Sequence, residues 1–149
     1  MVILKMPNPS GPSFARYIGI DYSGAETPNS SLKGLRVYQA GQEILPTEVP
    51  PPPSPRKYWT RRGIAAWLVE QLTEDIPTSC SAVVESYPAL WKKAFAREDR
   101  TDDQHDAYSV AAWLRQADLD GSLARFLNPS LLPGERAVAQ VEGWILGVM

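Results

Sequence analysis

The chain has 149 residues, a net charge of −2 at pH 7 and a hydrophobic content of 44%. This length suits one domain with a substantial core, and the composition is that of a globular protein rather than a disordered one. No apolar stretch approaches the roughly 18 residues of a membrane-spanning helix. Cys80 is the single cysteine, so no internal disulfide can form, and a cytoplasmic setting without a membrane partner is expected. One cysteine and one histidine also exclude a zinc site of the usual cysteine and histidine kind.

The first part of the chain predicts three strands. Residues 1–15 carry three prolines and no sustained apolar run, which predicts a flexible tail and leaves residues 16–149 as one domain. The runs 17–22, 34–39 and 43–45 are joined by short connections that contain glycine, proline or asparagine. They therefore predict a three-stranded antiparallel meander.

A proline-rich connector and a helix follow the meander. Prolines dominate residues 50–55 and predict an extended segment. Thr60 can cap the helix after it. The helix would bury apolar side chains at helical spacing, namely Ile64, Trp67, Leu68 and Leu72. Residues 81–85 then predict a short buried strand.

Helical patterns fill the remainder of the chain. Residues 88–95 predict a brief helix, and Thr101 and Gln104 have the spacing of a capping box that opens the longest helix. A short helix is expected over 123–126 and a last helix over 135–148. The order is β-β-β-α-β-α-α, which predicts an α/β protein with helices on a mixed sheet.

Four carboxylates stand where such a sheet collects functional side chains. Asp21 closes the first strand, Glu85 closes the strand 81–85, and Asp103 and Asp106 lie one helical turn apart at the start of the longest helix. Three or four converging carboxylates supply the oxygen ligands that Mg²⁺ or Mn²⁺ prefers. The sequence therefore predicts a metal site formed by all four residues, with Asp21 bridging two ions that hydrolyse a phosphodiester.

Further residues fit roles beside this site. His105 lies between the two helical aspartates and is a candidate proton shuttle, although the pattern favours a solvent-facing side chain. Two basic groups could contact phosphates of a nucleic acid, or could be ordinary solvated helix faces. The candidate phosphate contacts are Arg61, Arg62, Lys92 and Lys93.

These residues resemble the ribonuclease H-like superfamily, nearest to the RuvC-type Holliday-junction resolvases and a family of predicted nucleases of that fold. The resemblance rests on Ile-Gly-Ile-Asp at 18–21, on Asp-Gln-His-Asp-Ala at 103–107, and on Glu-Ser-Tyr-Pro at 85–88. Glu-Gly-Trp-Ile at 142–145 is similar to the C-terminal signature of the predicted nucleases, so the likeness spans residues 17 to about 147.

The resemblance implies a sheet ordered 3-2-1-4, in which the three-stranded meander is joined by a parallel strand and helices flank the sheet. It also implies metal ligation by Asp21, Glu85, Asp103 and Asp106, and DNA or RNA as the substrate. Only 17 residues separate Glu85 from Asp103. The fold would therefore be a shortened version, without the fifth strand and long helix that resolvases have there.

Two other readings remain open from the sequence. One is a domain of the same fold that binds nucleic acid or a protein without catalysis, using the prolines of 50–55 with Tyr58 or Trp59 as its contact surface. The other is an actin-like nucleotide-phosphate-binding domain, with residues 21–25 and Thr27 as a phosphate loop. Because kinases of that shape need two such domains, a homodimer would have to supply the second.

Overall fold

The computed structural model describes residues 11–22, 27–52, 57–74, 85–142 and 145–147. The strands are β1 (Arg16–Asp21), β2 (Arg36–Gly41), β3 (Thr47–Glu48), β4 (Glu85–Ser86) and β5 (Ile145–Leu146). The α-helices are α1 (Arg61–Glu74), α2 (Asp102–Leu119), α3 (Leu123–Leu127) and α4 (Pro133–Glu142), with two 3-10 turns at Pro88–Leu90 and Lys92–Ala94. The protein is therefore mixed α/β, as expected. No helix among the described residues is long and apolar enough to cross a membrane.

The first three strands form the predicted antiparallel meander in the order β1-β2-β3. Asp21 lies opposite Arg36, and Tyr38 lies opposite Glu48. The third strand was predicted over 43–45, and this was wrong because the Gly41 N–H donates to the Ile44 carbonyl at 3.1 Å and closes a turn there. Pairing resumes only at Thr47–Glu48.

Helix α1 covers one face of this sheet. Thr60 caps it as predicted, because its Oγ1 accepts from the Gly63 N–H at 2.9 Å. The core on this face contains Leu35, Val37, Trp59 and Ile64, with Ile18, Ile20, Trp67 and Leu68 packed against it. These strand residues alternate with those on the opposite face, as the pleat of a strand requires.

Helix α2 covers the other face and touches β1 at Gly19. A Cβ at this glycine would lie 2.1 Å from the Ala107 carbonyl oxygen and 2.7 Å from the Ala111 nitrogen. The backbone of α2 therefore contacts the backbone of β1 directly at Gly19, and any side chain at this position would force the helix to move. The predicted capping box opens this helix, with Gln104 N–H donating to the Thr101 hydroxyl and the Thr101 N–H donating to the Gln104 side chain.

The segment after β4 packs on the middle of α2 through tryptophans. The Trp91 and Trp113 rings are stacked at 3.8 Å, and Trp91 Nε1 donates to the Ser86 hydroxyl at 2.6 Å. The predicted helix over 88–95 is replaced by the two 3-10 turns, between which Trp91 turns inward. The strand predicted over 81–85 lies outside the described residues except for its end, which pairs in parallel with β5.

The two ends of the described chain pack on other parts of the fold. The last helix was predicted over 135–148, but it ends at Glu142, and Ile145–Leu146 pair with β4 as a strand instead. Of the predicted tail, residues 1–10 lie outside the described residues. The part that is described is anchored, because the N–H groups of Ser13 and Phe14 donate to the Asp118 carboxylate at 3.0 and 2.9 Å.

Candidate functional site

Asp21 and the first turn of α2 lie at the same end and on the same face of the sheet. Tyr17 reaches Asp118 near the end of α2, whereas Gly19 meets the helix at Ala107. The helix therefore runs opposite to β1, which brings its first turn over the end of the strand. Since side chains two apart in a strand share a face, Asp21 points to the same side as Gly19.

Asp103 also lies at the end of the sheet where β1 ends and β2 begins. Its carboxylate oxygens and carbon are 3.5 to 3.8 Å from the position that a Cβ of Gly34 would occupy. Gly34 precedes Arg36, the residue opposite Asp21 in the β1–β2 ladder. Asp103 also lies in the first turn of α2, where the positive end of the helix dipole stabilises a carboxylate.

Asp106 is paired with Lys92. The ammonium lies 3.1 Å from the Asp106 carboxylate, and the two side chains are 37% and 24% exposed. The pair is thus partly screened from solvent. Lys92, expected to contact phosphate, neutralises Asp106 instead in this arrangement, whereas its neighbour Lys93 is exposed.

His105 is buried, which corrects the expectation that it faces solvent. The residue is 7% exposed, and its Nε2 lies 3.0 Å from the Lys92 carbonyl. A carbonyl only accepts, so Nε2 is the donor in this contact. Nδ1 is buried with no hydrogen-bond partner among the described residues. This geometry favours a role in holding Lys92 over proton transfer.

Glu85, the remaining carboxylate of the predicted set, lies at the start of β4. Its backbone lies in β4 opposite Ile145, and its side chain is outside the described part. Within the described residues, no group of three or more histidine, cysteine, aspartate or glutamate side chains is close enough together to hold a metal ion. Asp21 thus lies at the end of β1, and Asp103 and the Lys92-paired Asp106 lie at the start of α2, but these three do not form such a group.

Arg61 lies directly beside the end of β1. Its Nε donates to the Tyr22 carbonyl at 3.1 Å, and its guanidinium carbon lies 5.9 Å from the centre of the Tyr22 ring. The backbone N–H of Arg62 donates to the Pro28 carbonyl at 2.9 Å, which fixes the start of α1 against the connection that follows β1. Arg61 is therefore a predicted phosphate contact that is held at the end of β1, by the residue after Asp21.

A second aromatic and basic group completes this surface. Tyr58 has the Lys57 ammonium 5.5 Å and the Arg36 guanidinium carbon 6.0 Å from its ring centre. Arg36 is opposite Asp21 in the sheet. Sequence reasoning raised Tyr58 only as a contact of a non-catalytic domain and missed Tyr22. The only sequence signal was an aromatic residue directly after the strand-end aspartate.

A separate cavity of about 400 Å³ lies along the second half of α2. Its lining includes Leu45, Phe95, Tyr108, Arg115 and Leu119. The Arg115 guanidinium donates hydrogen bonds to the Gly41 and Gln42 carbonyls. The cavity is mainly apolar and does not include the carboxylates, so it is not part of the candidate site.

No family model matches this chain, and comparisons with curated proteins and with solved structures also gave no match. The residues 23–25 of the alternative phosphate loop lie outside the described residues, as do Gly143 and Trp144 of the C-terminal likeness.

Proposed function

We propose that the protein is a divalent-metal-dependent nuclease of ribonuclease H-like fold that hydrolyses phosphodiester bonds of a nucleic acid. The observation that supports this most directly is that the Asp103 carboxylate lies beside Gly34, two residues before Arg36, which is the β2 residue opposite Asp21. Two carboxylates from a strand end and a helix start offer hard oxygen ligands to Mg²⁺ or Mn²⁺. Glu85 is proposed as a further ligand.

The residues around the proposed metal site have definable roles. Asp21 and Asp103 would hold the ion, which supplies Lewis-acid activation of water and of the phosphoryl oxygen. Asp106 would join them once it exchanges Lys92 for the ion. Arg61, anchored on the Tyr22 carbonyl, would bind a phosphate at the end of β1.

Calorimetric titration with Mn²⁺ at neutral pH tests the proposed metal site without any choice of substrate. We expect the wild type to bind, and Asp21→Asn and Asp103→Asn to lose most of this binding. Asp120→Asn is the matched control, because Asp120 is an exposed aspartate at the opposite end of α2. If Asp21→Asn binds Mn²⁺ as the wild type does, the proposed site is wrong. Cleavage of labelled DNA and RNA with Mn²⁺, absent in Asp21→Asn, would then test the activity itself.

A second candidate is a non-catalytic nucleic-acid-binding domain of the same fold. It is favoured by the absence of three grouped metal-ligating side chains within the described residues, and by the aromatic and basic side chains beside Asp21. Binding of nucleic acid by a protein that binds no Mn²⁺, alone or with nucleic acid present, would favour this candidate. An actin-like phosphate-binding domain, with its homodimer, remains a third and weaker proposal.

A further inference from the structure

We infer that the preferred ligand is a single-stranded nucleic acid, and that Tyr22 and Tyr58 stack on its unpaired bases. This inference rests on the proposed function, since it names the substrate class for the same site. Two tyrosines carry this inference. Tyr22 follows Asp21 and has the Arg61 guanidinium near its ring, and Tyr58 has Lys57 near its ring together with Arg36, whose guanidinium is paired with Glu48.

Tyr22 is positioned to present its ring rather than bury it. The residue is 54% exposed and follows Asp21 directly. Its backbone is held by Arg61, whose guanidinium also lies near the ring. A base stacked on this ring would leave its phosphate near the Arg61 guanidinium, which lies 5.9 Å from the ring centre.

The backbone around Tyr58 is fixed by hydrogen bonds and by the buried residue that follows it. Its carbonyl accepts from the Ser31 hydroxyl at 2.8 Å, and the following Trp59 is buried in the core with its Nε1 donating to the Val49 carbonyl at 3.0 Å. These bonds fix the backbone of a half-buried ring. Lys57 at 5.5 Å adds a second charge that no carboxylate pairs within the described residues.

The chemistry of this surface selects an unpaired strand. In a duplex the faces of the bases are covered by neighbouring base pairs, so a protein ring can stack only on bases of a single strand, a loop or an end. Exposed rings interleaved with arginine and lysine are the arrangement that binds such strands, with the rings contacting bases and the cations contacting phosphates. The net charge of −2 makes this local arrangement, rather than overall charge, the source of affinity.

Fluorescence anisotropy with short labelled oligothymidylate and oligouridylate, in EDTA at low salt, tests this inference. EDTA prevents cleavage and makes the result independent of the metal site. We expect the wild type to bind, and Tyr22→Ala and Tyr58→Ala each to weaken binding about tenfold, which corresponds to base stacking on one ring. Tyr22→Phe and Tyr58→Phe keep the rings and should bind as the wild type does. Tyr87→Ala, at another exposed tyrosine, is the matched control.

Three outcomes would overturn the inference. One is no binding of either oligonucleotide by the wild type, a second is equal binding by the alanine variants, and the third is tighter binding of a duplex of the same length. Loss of Mn²⁺ binding in Asp21→Asn together with any of these would leave the metal site standing and remove only the single-strand assignment. If the oligonucleotides bind in a way that depends on the two tyrosine rings but the protein binds no Mn²⁺, the single-strand assignment stands and the proposed metal site is wrong.

Discussion

Replacement of Gly19 by alanine tests the contact that brings β1 and α2 together. The added Cβ would lie 2.1 Å from one backbone atom of α2 and 2.7 Å from another. Carbon contacts are comfortable near 3.5 Å or beyond, so the helix must retreat by roughly 1 Å or more. Overpacking of this kind costs about 1–3 kcal/mol, and a rigid backbone favours the upper part of that range. The unfolded chain loses entropy on gaining a Cβ, which offsets about 0.4–1 kcal/mol.

We therefore expect Gly19→Ala to lower the free energy of unfolding by about 2 kcal/mol. For a domain of this size that lowers the melting temperature by roughly 4–8 °C. Urea and thermal unfolding followed by circular dichroism measure both values. Gly41→Ala is the control, because a Cβ at this strand glycine would meet its neighbours no closer than 3.6 Å. A Gly19→Ala protein as stable as the wild type would refute the direct strand–helix contact, and with it the argument that joins Asp21 to Asp103.

Three further predictions concern Asp118, Tyr17 and Lys92. Asp118→Asn should cost about 1–3 kcal/mol in urea unfolding, because its two oxygens accept from two backbone N–H groups and from the Tyr17 hydroxyl; an equally stable variant would contradict this network. Burial and the hydrogen bond to Asp118 raise the pKa of Tyr17, so above about pH 10 the unfolded chain loses this proton first. The free energy of unfolding should then fall by about 1.4 kcal/mol per pH unit, and an unchanged alkaline slope in Tyr17→Phe would refute this. Lys92→Ala should tighten Mn²⁺ binding about two- to fivefold in calorimetry, because it frees the Asp106 carboxylate. Lys93→Ala is the control. Weaker binding by Lys92→Ala would show that the Lys92–Asp106 ion pair does not compete with the metal ion.

Local signals predicted the elements of this fold better than its long-range pairings. The Thr101 and Gln104 capping box and the Thr60 cap depend on residues three apart, and both formed as predicted. The third strand was misplaced because the turn after Gly41 is longer than the apolar pattern implies. The pairing of β4 with β5 depends on residues far apart in the chain and has no local signature.

The candidate site divides in the same way. That Asp21 ends a strand and Asp103 starts a helix follows from the neighbouring residues. The burial of His105 does not, because it depends on the Lys92 carbonyl that two 3-10 turns bring beneath the helix. Nor could the sequence show that Lys92 pairs with Asp106 rather than facing a phosphate.

The contact of α2 with Gly19 and the charges of Asp103, Asp106 and Lys92 all concern the first turns of α2. The helix can approach β1 only because Gly19 has no side chain, and this approach brings Asp103 toward the strand end that carries Asp21. Carboxylates that approach one another repel, so nearby positive charge stabilises a folded state without metal. Lys92 at Asp106 meets this need on one side, and the dipole of α2 meets it at Asp103. A divalent ion bound at the proposed site would interact with these carboxylates more strongly than Lys92 or the helix dipole does, so on this proposal Mn²⁺ should raise the free energy of unfolding.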